Sequence, residues 1–154
     1  MRSSAAGVLL LVAIAGCSAQ APSGACEGFV YTDTGLTREQ YAPCARVMAG
    51  KLDELQRTVE TIFDKNLPEP DRRRGRRACL KASAELSRLM KQAGGADKLY
   101  RMKWDDADLN RFNLDVERAR SEYFMYCYYG AVGPRPEDIT PSHARARDFA
   151  ATLR

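Results

Sequence analysis

Residues 37–66 read TREQYAPCARVMAGKLDELQRTVETIFDKN, and this stretch decides the fold. Thr37-Arg38-Glu39-Gln40 is a capping box, in which the threonine side chain accepts from the Gln40 amide and the glutamine reaches back. Leu36 and Tyr41 stand at the staple positions around it. Downstream, Cys44, Met48, Leu52, Leu55, Val59 and Ile62 recur at spacings of four and three, the period of a helix that turns one apolar stripe toward a bundle. Pro43 falls inside the pattern. It lacks an amide proton and its ring crowds the preceding turn, so the expectation is a short first turn, a kink, and a main helix from Pro43 to about Asn66. Asn66 to Pro70 breaks it.

Three more periodic segments follow. The second is expected from near Asp71 to Gly94-Gly95, with Cys79, Ala82, Leu86, Leu89 and Ala93 as its stripe and a glycine stop. The third opens at Trp104-Asp105-Asp106-Ala107-Asp108-Leu109: Asp105 suits the N-cap, Asp106 and Asp108 suit the positive end of the dipole, and Trp104 can staple to Leu109. Its stripe is Leu109, Phe112, Val116, Ala119, Tyr123 and Tyr126, ending at Gly130. Gly133, Pro134 and Pro136 mark a linker. Thr140-Pro141 then starts a short fourth helix, with proline at its first position and Ala146, Phe149, Ala150 and Leu153 as its apolar face. Long helices with short connections predict an all-α protein: an antiparallel three-helix bundle with a short C-terminal fourth helix. Cys26 to Thr34, including Phe29-Val30-Tyr31, is expected to be ordered coil.

The N-terminus reads as a targeting segment. Arg2 is its only early charge, and Ala5 to Gly16 is an unbroken run of apolar residues and glycine. A bilayer needs about 20 such residues, so the run is too short to span one. Ile14-Ala15-Gly16-Cys17 resembles the lipobox of bacterial lipoproteins: a branched apolar residue, two small ones, then cysteine. The resemblance covers the first 17 residues and implies cleavage before Cys17, which then carries lipid. In that family an aspartate after the cysteine retains many members at the inner membrane. Ser18 therefore implies the outer membrane, facing the periplasm. The chain divides into a signal peptide (1–16), a lipidated tether (17–25) and a disulfide-bonded helical domain (26–154). Small and polar residues with Pro22 and Gly24 suit the tether. The competing reading is an ordinary secretory signal cut near Ala19.

Cysteine parity favours the lipidated form. Five cysteines are odd, and assigning Cys17 to lipid leaves Cys26, Cys44, Cys79 and Cys127, an even set for an oxidising compartment. Helix register predicts Cys79–Cys127, because both lie near the same end of the bundle, and Cys26–Cys44; the competitor is Cys44–Cys79 with Cys26–Cys127. A metal site is the weaker reading: 17, 34 and 47 residues intervene between successive cysteines, with no close pair of the zinc type. His143 is expected as a solvated residue of the fourth helix, and adjacency to Ser142 does not make a triad. Asp105, Asp106 and Asp108 lack the spaced ligands of a calcium loop. No glycine-rich phosphate loop occurs. The chain reads as non-enzymatic, with no cofactor, metal or small-molecule substrate expected.

About 138 residues remain after the signal, enough for one domain with a core. A formal charge of +4 is too mild to require nucleic acid, and none is expected as a partner. The arginines cluster, however. Arg72, Arg73, Arg74, Arg76 and Arg77 crowd the start of the second helix, where cations oppose the macrodipole. The plain reading is a solvated start paired with Glu69 and Asp71; the functional one is a surface for an anionic partner. The second anomaly is Tyr123-Phe124-Met125-Tyr126-Cys127-Tyr128-Tyr129. Tyr123, Tyr126 and Cys127 share the bundle face, which leaves Phe124, Met125, Tyr128 and Tyr129 pointing elsewhere as a partner groove. The expected cover for Phe124, Met125 and Tyr128 is the fourth helix, marginally docked and displaceable. In size and helical architecture the chain resembles the pilotins, lipoproteins that escort secretion-system subunits to the outer membrane. That resemblance implies an adaptor anchored through Cys17 that binds another envelope protein; the rival is a periplasmic inhibitor or stress protein acting on a cell-wall enzyme.

Overall fold

The computed structural model describes residues 24–27, 37–93, 107–129 and 140–153, and all regular structure among them is α-helical. The helices are α1 (Arg38–Phe63), α2 (Glu69–Gln92), α3 (Ala107–Tyr129) and α4 (Thr140–Thr152). The signal segment, Cys17, residues 28–36, the Gly94-Gly95 stop, the Trp104–Asp106 helix start and the linker through Ile139 lie outside the described residues.

Thr37 caps α1 in both senses: its hydroxyl accepts from the Gln40 amide at 3.3 Å and its own amide donates to the Gln40 side chain at 2.9 Å. The expected first turn and main helix are one helix of 26 residues with Pro43 inside it, ending at Phe63 rather than near Asn66. The proline removes only the bond to the Glu39 carbonyl, and Glu39 and Pro43 both lie on the exposed side where water can replace it. The first turn is also pinned from the buried side. Tyr41 donates its hydroxyl to Asn113 at 2.7 Å and packs edge-on against Phe112. α2 likewise starts earlier than expected, at Glu69, with Pro68 as N-cap and Pro70 in the first turn, where a missing amide costs nothing.

Contacts along the helices give the topology. Arg38 meets Asp108 at the starts of α1 and α3, and Phe63 meets Tyr126 at their ends, so these two run parallel. Cys79 joins Cys127 and Lys51 pairs with Glu85, which makes α2 antiparallel to both. His143 reaches Asp53 while Arg46 donates to the Leu153 carbonyl, so α4 is antiparallel to α1. α1 and α3 form the centre, α2 and α4 flank them on opposite sides, and the flanking helices do not touch. The core is continuous from Met48, Leu52, Leu55 and Val59 through Leu86, Leu109, Phe112 and Val116 to Ala146, Ala150 and Leu153. The expected stripes are the buried ones, with Leu89 and Phe149 only partly covered.

Two disulfides close the bundle: Cys26–Cys44 (Cα–Cα 4.7 Å) and Cys79–Cys127 (5.6 Å). The first ties the Gly24–Glu27 turn to α1. Gly24 adopts φ +114°, a conformation open to glycine, and the Glu27 amide closes the turn on its carbonyl at 2.9 Å. Gln92 at the end of α2 donates to Glu27 at 2.5 Å, so the Gly24–Glu27 turn sits at the end of the bundle that holds the starts of α1 and α3.

Candidate interaction surface

The last two turns of α3 divide their side chains sharply. Tyr123, Tyr126 and Cys127 are buried, whereas Phe124, Met125, Tyr128 and Tyr129 are 39, 53, 56 and 55% exposed. Phe124 stacks on Tyr128 at 5.9 Å, and Tyr128 meets Tyr129 edge-on at 4.9 Å, so the exposed rings form one connected patch. Contiguous exposed apolar surface of this kind marks interaction sites.

α4 does not cover this patch, contrary to expectation. It packs on the opposite flank, against α1 and α3, with Phe149 on Phe112 at 5.5 Å and under the Arg38 guanidinium at 5.6 Å. Polar partners explain the choice. Arg145 makes a bidentate bond to Asp115 (2.9 and 2.6 Å) and a third bond to Ser142. His143, far from being solvated, is buried: its Nδ1 accepts from the Tyr123 hydroxyl at 2.8 Å and its Nε2 faces Asp53 Oδ1 at 2.9 Å.

The electrostatics follow from these placements. Burial pushes the Tyr123 hydroxyl far above its ordinary pKa, with Glu60, Asp53 and Glu122 adding to the effect, so it acts as a hydrogen-bond donor. Burial lowers the His143 pKa against the opposing pull of Asp53, leaving a neutral ring whose Nε2 proton points at the carboxylate. The chain is a strut across three helices. Tyr123 and His143 are buried, and Asp53 is the partly exposed member of the three.

The arginine cluster is sorted by helix register. Glu69 and Asp71 occupy the first turn of α2, and the arginines begin one turn in, so the expected conflict with the macrodipole is largely absent. Arg72 pairs with Glu69 at 2.7 Å and Arg74 pairs with Asp71; the buried Arg72 Nε has no partner. Arg76 caps α3: its Nε donates to the Cys127 carbonyl at 2.8 Å and Nη2 to that of Tyr128, supplying positive charge where a helix C-terminus favours it. Arg73 is held only by a long contact to Glu69 (3.7 Å), and Arg77 has no ion pair among the described residues. The two anomalies of the sequence, separate there, are one neighbourhood in space.

A shallow cleft of about 420 Å³ lies on the other side of α3, lined by Arg111, Leu114, Asp115, Arg118 and Arg145. Arg111 and Arg118 make no ion pair among the described residues, and neither they nor the His143 strut was singled out by residue type. Among the described residues no three His, Cys, Asp or Glu side chains converge as metal ligands, and no helix is long and apolar enough to cross a membrane. Comparison of the chain with known protein families, curated proteins and solved structures finds no match.

Proposed function

We propose that this protein is a lipid-anchored adaptor of the outer membrane, facing the periplasm, that works by binding another envelope protein. The observation that carries the reading is the exposed aromatic patch at the end of α3. The lipobox at Ile14–Cys17 supplies the anchor. Position supports the combination. Cys26, where the tether meets the fold, is bonded to Cys44; the patch lies beside Phe63 at the far end of α1, about 28 Å away at 1.5 Å per residue. An anchor at one end and a sticky surface at the other suit a protein that presents a partner to the envelope. Two acyl signals or more hold a protein firmly on a membrane, where one holds it marginally.

Intact mass and membrane fractionation of wild type and Cys17→Ser, together with a photo-crosslinking residue at position 128, test this reading. Acylated wild type, a soluble Cys17→Ser variant and a discrete envelope-protein adduct are expected. Unacylated, soluble wild type removes the anchor, and an adduct confined to a cell-wall enzyme turns the adaptor into an inhibitor.

A further inference from the structure

We propose that the Arg73–Arg77 face of α2 and the Phe124–Tyr128 face of α3 form a single docking surface whose occupant is an acidic, amphipathic segment of another protein. The adaptor reading supplies the reason for a partner; the surface itself rests on geometry. Arg73, Arg76, Arg77 and Leu80 recur at spacings of three and four, so they share one side of α2. Arg76 fixes which side that is, because it bonds the Cys127 and Tyr128 carbonyls of α3. Phe124 and Tyr128, four residues apart and stacked, share the flank of α3 that adjoins it. The Cys79–Cys127 disulfide locks the two helices together at this level.

The arrangement states what it would bind. Its centre is apolar and aromatic, and its edge carries guanidinium groups that intramolecular carboxylates leave under-used: Arg77 without a partner among the described residues, Arg73 with one long contact. Arg72 and Arg74 make the closer pairs, with Glu69 at 2.7 Å and with Asp71. Arginine and tyrosine around a buried apolar anchor is the composition of binding hot spots. A segment with an aliphatic or aromatic ridge and flanking aspartate or glutamate satisfies both parts; a basic segment would leave the guanidiniums repelled and desolvated. An anionic bilayer offers matching charge, but the surface sits at the end of the bundle remote from the Gly24–Glu27 turn through which the chain enters from any anchor.

The test is selection of a random-sequence peptide library on the full oxidised chain in detergent, followed by affinities of the winners. Acidic peptides with apolar ridges are expected, weakening with salt. Arg73→Gln with Arg77→Gln, and separately Phe124→Ser with Tyr128→Ser, should each weaken binding about tenfold or more. Arg111→Gln with Arg118→Gln removes the same charge from the far side of α3 and should change affinity less than about twofold. All of these side chains are exposed, and circular dichroism checks each fold. Equal loss in both arginine pairs, binding retained in the aromatic variant, enrichment of basic or neutral peptides, or no enrichment overturns the proposal. So does a Phe124- and Tyr128-dependent dimer, or flotation on phosphatidylglycerol vesicles through these residues without peptide selection. Failure of the adaptor reading looks different: peptide selection stays intact while acylation or the cellular adduct is missing.

Discussion

Replacing His143 with alanine should destabilise the whole bundle, because one imidazole serves three helices. The Tyr123 hydroxyl is about 1% exposed and loses its acceptor; an orphaned buried donor costs about 1–3 kcal/mol. The bond from Nε2 to Asp53 is also lost, but Asp53 is 38% exposed and water replaces most of it, leaving about 0.5–1 kcal/mol. The loss is therefore about 1.5–4 kcal/mol. A domain of this size melts about 4 °C lower per kcal/mol, so calorimetry should show a fall of about 6–16 °C. Adding Tyr123→Phe to the variant should cost little more, since the hydroxyl is already unpartnered. The same residue sets a pH dependence. Burial holds the His143 pKa below its ordinary value, so its contribution is complete above the unfolded value near 6.5 and is lost as pH falls from there through the folded pKa. The slope is at most about 1.4 kcal/mol per pH unit. His143 is the chain's one histidine, facing Tyr123, Asp53 and Arg147; Glu122, whose carboxyl is pushed up by burial, acts in the opposite sense. Wild type should thus weaken on acidification from about pH 7.5 to 5.5, while His143→Ala should not. A variant that melts within about 2 °C of wild type, or that keeps the acid-side loss, would refute the strut.

Two further perturbations separate backbone effects from cross-links. Breaking Cys79–Cys127, with a sequence separation of 48, should cost about 4 kcal/mol by chain entropy, and breaking Cys26–Cys44, with a separation of 18, about 3, measured by urea unfolding of paired alanine variants. Gly50→Ala should stabilise by about 0.5–1 kcal/mol, because nothing lies within 4 Å of the added carbon. Gly75→Ala should destabilise: its carbon would sit 3.0 Å from Thr61 Cγ2, and that side chain is held by its hydroxyl bond to the Arg57 carbonyl. A stabilised Gly75→Ala would mean α2 can move away from α1 at this crossing.

The helices were legible because burial was written in their period. Met48, Leu52, Leu55 and Val59 in α1, and Phe112, Val116 and Ala119 in α3, are at or near zero exposure where their spacing puts them. Register was good enough to pair the cysteines. Helix starts were less legible, for a physical reason: Pro43 and Pro70 were read as local breakers, but an exposed face and a first turn each make proline's missing amide harmless. His143 shows what residue type hides. It stands three residues before Ala146, in line with Ala150 and Leu153, so the stripe already placed it inward. Polarity argued for solvent, and only the tertiary fold reveals Tyr123 and Asp53 waiting as partners.

The same blindness to partners misplaced α4, and its correction changes what the aromatic patch means. Apolar matching alone sent Phe149 and Leu153 toward Phe124 and Tyr128, since both sides wanted cover. Hydrophobic burial is non-directional and would accept either flank. Hydrogen bonds are directional: on the α1–α3 flank His143 meets Asp53 and the Tyr123 hydroxyl, and Arg145 meets Asp115 in a bidentate pair. Specificity thus comes from the polar residues and much of the driving force from Ala146, Ala150 and Leu153. Once α4 is committed to that flank, its role as a displaceable lid over the patch drops out. The rings at Phe124 and Tyr128 are then not covered by α4, and on the proposed docking surface selectivity rests on the surface itself, where the under-used guanidiniums of Arg73 and Arg77 would disfavour cationic partners.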